Sequence, residues 1–423
     1  MDLFRNGVRP LCVICLLLSL FFALPASQAG AEGFAIMENS ARGMGVAGGL
    51  IARGGDASTV AYNPAAMTGL SGTHAQANLA VTQMYWGIDT PRGNFHNSHQ
   101  TWPIPAFYFT HQVNDDFWFG IGNFTRFGLG VKYAKNWPGG YNLQAVQLIT
   151  SSLNPNIAYR INDIFSVAVG VEVMGASMQM RKNIPIPDTE KIGALGDVNI
   201  NGHGVSFGGN LALHVQPNAQ WALGLTYRAP MSLKVSGKAR WDNRLAGKGY
   251  TSNRLRGTMH LPDAIGMGVA YKPLVNLSLE ANAVYTLWSR FSDFNMYMKT
   301  NPGYWQNSDR DWKNSWTFSL SAEYTPVDWM ALRLGFMYET SPMNTGNADY
   351  MLPSNGRNYY TAGVGFFYGK WTLDLAYMYI RNRVLPYTEA SDNPATDAPH
   401  GVVAGGSTHP HAHNFGIGIG YKF

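Results

Sequence analysis

The chain has 423 residues, of which only 13% are charged, beside 47 glycines, 12 tryptophans and 13% aromatics. Charge that sparse is about half the ~25% typical of soluble domains, and a mean hydropathy of −0.14 is too polar for a bundle of membrane helices. The net charge of +5 is dispersed, with no run of Lys or Arg, which argues against nucleic acid as a partner.

The chain opens on a secretory signal pattern. Arg5 and Arg9 precede an apolar run from Leu11 to Leu24, too short for a membrane helix. Ala29-Gly30-Ala31 fits a small-x-small cleavage site, with Ser27-Gln28-Ala29 as the competitor. Residues 1–31 are therefore expected to be a signal peptide. Cys12 and Cys15 both lie within it, so their C-x-x-C spacing carries no chemistry in the exported chain.

Residues 32–71 are rich in small side chains, with glycines at 43, 45, 48, 49, 54 and 55. Gly43 to Gly48 matches G-x-G-x-x-G. The dinucleotide reading needs a preceding strand and an acidic residue about twenty positions on. Only about a dozen residues of the exported chain precede it, and export leads to a nucleotide-poor compartment, so no cofactor is expected.

From residue 72 onward the period is two, the signature of strands. Val205, Phe207, Leu211 and Leu213 alternate with Ser206, Gly208, Asn210 and His214, and Phe165, Val167, Val169 and Val171 with Ser166, Ala168 and Gly170. The pattern predicts fourteen strands: 73–86, 102–112, 116–127, 146–160, 163–181, 202–216, 219–239, 254–272, 275–295, 312–325, 328–340, 357–369, 371–384 and 412–423. Six short connections alternate with seven long ones, as in an outer-membrane barrel with both termini in the periplasm. Such a lumen is wider than wall side chains alone fill. The expected fold is all-β: a transmembrane antiparallel β-barrel (72–423) with residues 32–71 as an N-terminal hatch, or plug, inside the lumen. Trp221, Trp329 and Trp371 follow short turns, while Trp86, Trp102, Trp288 and Trp312 sit beside long loops, which reads as two aromatic girdles. His409-Pro-His411-Ala-His413 lacks a nearby Cys or carboxylate, so no metal is assigned. The chain ends on an alternating strand with terminal Phe423, which resembles the signal read by the outer-membrane barrel assembly machinery, an expected partner during biogenesis.

The stretch Glu32-Gly33-Phe34, Gly43-Met44-Gly45, Asp56-Ala57 and Asn63-Pro64-Ala65-Ala66-Met67 resembles the hatch of the long-chain fatty-acid outer-membrane transporter family (FadL/TodX type). Leu261-Pro262-Asp263, Trp288-Ser289-Arg290-Phe291 and Leu352-Pro353 extend the likeness through the barrel. The resemblance implies passive uptake of hydrophobic compounds, fatty acids or aromatic hydrocarbons, in the Gram-negative outer membrane among its lipid and lipopolysaccharide. It implies lateral exit near a kink in the third strand, for which Gly120 and Gly122 are the candidates. It also implies that Asn63 and Pro64 hold the hatch against the wall.

Parity turns Phe124, Met174, Val284, Trp288, Met337, Phe367, Met378 and Ile380 into the lumen as candidate ligand contacts. Methionine suits a pocket for varied ligands. Arg160, Arg228, Arg333 and Arg357 are candidates for a carboxylate head group or for internal ion pairs with Glu172, Glu280, Glu323 and Asp374. The competing readings are a barrel enzyme acting on lipid, for which no G-x-S-x-G is present, and a non-selective porin.

Overall fold

A computed structural model describes residues 33–91, 93–135, 137–185, 195–246, 253–298, 310–343, 345–352, 355–387 and 405–423. The expected signal peptide, Glu32 and Pro353 lie outside the described residues.

The described residues build a closed antiparallel barrel of fourteen strands. In chain order these are β1 (Thr73–Thr90), β2 (Thr101–Gln112), β3 (Phe117–Phe124, resumed at Gly128–Lys132), β4 (Ala145–Arg160), β5 (Phe165–Pro185), β6 (Leu195–Val215) and β7 (Trp221–Arg228, resumed at Met231–Trp241). There follow β8 (Asn253–Leu261, resumed at Ala264–Leu274), β9 (Leu277–Thr286, resumed at Phe294–Met298), β10 (Ser315–Val327), β11 (Met330–Glu339), β12 (Arg357–Tyr368), β13 (Trp371–Asn382) and β14 (Gly405–Lys422). Pairing of β1 with β14, from His74↔Lys422 to Asp89↔Gly406, closes the ring.

Alternation sorts the side chains. Phe207, Val171, Leu211, Ile157 and Val169 are each more than half exposed on the outer wall, while Ser206, Asn210, Ala158 and Ala168 are buried. A belt of exposed large apolar residues suits lipid rather than water.

Three strands expected to run unbroken do not. β7 stops at Ala229-Pro230 and β8 at Pro262-Asp263, because proline donates no N–H to a ladder. The parity flips across the break in β7: Leu223 and Leu225 face out before it, Lys234 and Lys238 after it. β9 pauses where Trp288–Arg290 forms a 3₁₀ turn.

The second aromatic girdle also needs correction. Trp221, Trp329 and Trp371 are exposed at the rim of short turns, but Trp86, Trp288 and Trp312 are buried inside. The outward aromatics at the loop end are instead tyrosines and Trp316, such as Tyr285, whose ring lies 4.7 Å from that of Trp316 at a tilt of 36°.

The N-terminal segment, from residue 33 to 72, folds as α1 (Ala41–Gly45), α2 (Thr59–Tyr62) and a 3₁₀ turn at Pro64–Gly69. The Ser40 hydroxyl accepts from the Gly43 amide, and the Asn63 side-chain Oδ1 accepts from the Ala65 amide, capping two of the three. Gly54 and Gly55, at φ +57° and +106°, turn the chain between α1 and α2. Almost every residue from 41 to 68 is buried.

Candidate functional site

The N-terminal segment meets inward-facing wall residues through charge. Arg42 donates from Nε (2.9 Å) and Nη2 (2.8 Å) to the two oxygens of Glu323 on β10. Arg333 on β11 donates to the same carboxylate at 2.6 Å and to Asp374 on β13 at 2.6 Å. The amides of Ala52 and Arg53 donate to Glu280 on β9 at 3.0 and 2.8 Å. Asn63 Nδ2 donates to the carbonyls of Ile51 (2.7 Å) and of Leu213 on β6 (3.1 Å). Buried charges are tolerable only when paired in this way.

Two cavities flank this segment. An inner one of about 130 Å³ is lined by Phe124, Val284 and Met337 together with Arg126, Arg228 and Asn282. Glu172 lies 3.2 Å from the Arg126 guanidinium and 3.4 Å from that of Arg228. One buried anion faces two cations, so this corner carries a net positive charge. The second cavity, about 250 Å³, is lined by Met84, Ile104, Leu129, Leu148, Tyr359 and Ile380, among others. Ala35, Ile36 and Met37 line both. An extended stretch of chain is thus the partition between the two cavities. It is held by the Ile36 amide donating to the Arg126 carbonyl (2.9 Å) and the Gly128 amide donating to the Phe34 carbonyl (3.0 Å). The Phe34 ring packs edge-on against Trp288 at 5.0 Å and Phe291 at 5.4 Å. Arg357 donates to the Gly33 carbonyl at 3.0 Å.

The second cavity passes through the wall. Its lining includes outward-facing Pro103, Pro105, Ile149 and Ser151 as well as inward-facing Ile104 and Tyr359. Both neighbouring strands contribute to the gap. β2 pairs with β3 only between Phe107↔Asn123 and Gln112↔Trp118, so Thr101–Ala106 have ladder partners on β1 alone. On β3, Phe124 faces Ser152 of β4 and Gly128 faces Ile149, so 125–127 oppose only 150 and 151. That is a one-residue bulge, which bends a strand and ends its pairing. On β2, the Gln112 amide donates toward β1, to Gly72. Amides alternate in direction along a strand, so those at odd positions face β3. Pro103 and Pro105 stand at odd positions and offer no donor there. The isolated bridge Asn97↔Tyr133 bounds the window on the loop side.

The sequence-derived residues distribute unevenly. Phe124, Met337 and Arg228 meet at the inner cavity. Met174 is buried in a methionine-rich cluster with Met178, Met231, Met259 and Met296. Trp288 is buried against Phe34, Phe291 and Trp312. Met378 packs with Met44 and Tyr359. Phe367 stands opposite Thr372, next to the short turn between β12 and β13, and lines neither cavity. Arg333 is spent on Glu323 and Asp374, and Arg160 donates to the Thr68 carbonyl. Arg228 also donates to the Ala61 carbonyl at 2.7 Å. Pro64 and Ala65 open the 3₁₀ turn that Asn63 caps. Gly120 and Gly122 sit in regular pairing, opposite Thr110 and Tyr108 on β2. A Cβ at Gly120 would collide with the Met67 sulfur, so this glycine makes room for the N-terminal segment. The strand break itself falls at 125–127.

Sequence reasoning missed Arg126, the Ala35–Met37 partition and the two prolines of β2. The Pro-x-Pro inside a strand pattern, which signals an unpaired edge, was the available clue.

A family model described as "Outer membrane protein transport protein (OMPP1/FadL/TodX)" matches residues 22–423. Outer membrane protein P1 of Haemophilus influenzae is 22% identical, over 96% of this chain and 98% of its own. The long-chain fatty acid transport protein of Escherichia coli K12 is 22% identical, over 88% and 93%. Among solved structures, a Pseudomonas aeruginosa FadL homologue superposes with a TM-score of 0.83 at 19% identity, covering 93% of this chain and 100% of that one. The Pseudomonas putida toluene transporter TodX gives 0.67 at 16% identity, over 87% and 94%.

Proposed function

The chain belongs to the OMPP1/FadL/TodX family of outer membrane transport proteins, and from that premise we propose that it takes up hydrophobic compounds through the side of its barrel. In this reading residues 32–71 are the hatch and 72–423 the transmembrane barrel. The observation that carries it is the partition: Ala35, Ile36 and Met37 separate an inner cavity from a second one that opens through the wall.

The physical logic is one of avoiding water. An apolar compound leaving a barrel at its periplasmic end must cross an aqueous layer, at about 25 cal/mol per Å² of exposed apolar surface. A side window delivers it to the bilayer directly. The ligand enters from the loop end, where Trp137, Tyr133 and Tyr350 form an apolar cover. It occupies the inner cavity, the Phe34–Glu38 stretch moves aside, and the ligand leaves between β2 and β3. Partitioning into lipid drives the last step, so transport is passive. Barrel assembly machinery reading the β14 terminus places the protein in the membrane.

Long-chain fatty acids are favoured over aromatic hydrocarbons as cargo. Two guanidiniums sharing Glu172 leave a positive charge at an otherwise apolar cavity, and an anionic head group complements it. A lumen packed with buried methionine and aromatic side chains does not suit a non-selective porin.

Uptake of a fluorescent long-chain fatty acid by a transporter-deficient strain expressing the chain tests this. Uptake that fatty acid competes for and toluene does not is expected. Competition by toluene alone would reassign the cargo, and no uptake of either would remove the transport reading.

A further inference from the structure

A second surface of this barrel has the chemistry of a ligand site, and it lies on the outside. Beyond the proline breaks of β7 and β8 the strands turn Leu233, Val235, Leu255 and Met259 inward and a set of cations outward. Lys234, Lys238 and Arg240 project from β7, Arg254 and Arg256 from β8, and Arg181 from β5. Lys238 is the direct cross-strand partner of Arg254, and Arg256 faces Ser236 between the two lysines. Arg240 and Arg181 flank Asn199 from opposite sides. Like charges directly opposed on a sheet destabilise it. Among the described residues none of these six cations has an ion pair. Among the described residues, the carboxylates of this face stand at its margins: Asp197 and Asp242 beyond Arg240, with Asp242 paired to Arg244 at 2.6 Å, and Asp293 before Phe294. A depression of about 450 Å³ on the same face is lined by Lys132, Arg181, Arg240, Gln147, Gln179 and Asn199.

The position selects the ligand. Along β6 the outward residues run Leu211, Phe207, Val205 and then His203, Asn201, Asn199. The apolar belt therefore ends where the cations begin, at the end of the barrel that carries the long loops, which in an outer-membrane barrel is the external one. Four adjacent strands span roughly 15 Å at ~4.8 Å spacing, wide enough for more than one phosphate. A molecule lying here needs acyl chains against the belt and several anionic groups above it. We propose that this face of β5–β8 binds the phosphates of lipopolysaccharide in the outer leaflet.

The test uses the full mature chain in detergent, titrated with lipopolysaccharide, with the lipid retained per protein as readout. The variant K234Q/K238Q/R254Q/R256Q should bind about a hundredfold more weakly or worse, since each cation near an anionic surface contributes about a tenfold factor or somewhat less. K272Q/K370Q, at the opposite rim, should bind like the parent. Dephosphorylated lipopolysaccharide and phosphatidylglycerol should bind poorly to the parent, and binding should fall with salt. Equal retention by the fourfold variant, or equal binding of dephosphorylated lipid, overturns the proposal. Phosphatidylglycerol competing as well as lipopolysaccharide also overturns it. Folding of each variant is checked by heat-modifiable migration. If the fourfold variant fails that check, K238Q/R254Q is measured in its place against the same criteria.

Discussion

Truncating Phe34 to alanine should unlatch the partition. The ring is 5% exposed and packs against Trp288, Phe291 and Phe127 at 5.0, 5.4 and 5.9 Å. Removing a buried Phe costs about 3–5 kcal/mol, and here the loss falls on the docked arrangement of residues 34–38. The remaining anchors nearby include two backbone hydrogen bonds to the β3 bulge, each contributing about 1 kcal/mol. A loss of about 3 kcal/mol shifts the docked-to-released ratio by roughly a hundredfold. The assay is limited proteolysis of the purified barrel, followed by mass spectrometry of the N-terminal fragments, together with the release rate of a preloaded fluorescent fatty acid. Cleavage near residue 34 and ligand release should both accelerate in F34A, while the barrel keeps its heat-modifiable band. If both rates match the parent, the stretch is not a latched partition and the reasoning from its packing is wrong.

Other outcomes follow from the same contacts. Glu280→Gln leaves the buried Arg53 guanidinium, 3.9 Å away, without its anion. The docked segment should weaken by about 3 kcal/mol, seen as a lowered proteolysis threshold in denaturant. Burial pushes the Glu38 carboxyl above its ordinary value, against the pull of its own and Met37's amides and of Arg357. Between the ordinary value and the raised one, the docked state therefore holds a proton that the released state gives up. Docking should be firmest below the ordinary carboxylate value and weaken as pH rises through the raised one. The pH profile of N-terminal proteolysis should flatten in Glu38→Gln. Deletion of residues 32–67 should leave a heat-modifiable barrel with altered uptake; a chain that forms no barrel would make the segment part of the folding core.

The wall was legible from sequence because lipid and lumen impose opposite demands on alternate residues. Val205, Phe207 and Leu211 could only be outward, with Ser206 and Asn210 inward. What escaped was local departure from that rule. Pro230 and Pro262 reset the parity of β7 and β8, and the extra residue at 125–127 resets that of β3 only beyond Arg126, which keeps the inward parity of Phe124 and lies beside Glu172. Trp86 and Trp312 carried the girdle signature yet face inward, since their neighbourhoods belong to a lumen packed by loops. Docking of the N-terminal segment depends on partners such as Arg42 and Glu323, which are 281 residues apart. No local pattern encodes such a pairing, though the inward charges of β9, β10 and β11 hinted that something charged lay inside.

Strapping the window shut tests the lateral route most directly. Both cysteines of the sequence, Cys12 and Cys15, fall in the expected signal peptide, so Ile104→Cys and Leu129→Cys would be the only thiols of the exported chain. Both positions line the wall cavity, one on each side of the gap between β2 and β3. A short, reductant-cleavable bifunctional thiol reagent then ties the strands together. Fatty-acid uptake should stop while the strap is in place and return on reduction, with binding inside the barrel unchanged throughout. Undiminished uptake through a fully strapped barrel would contradict lateral exit.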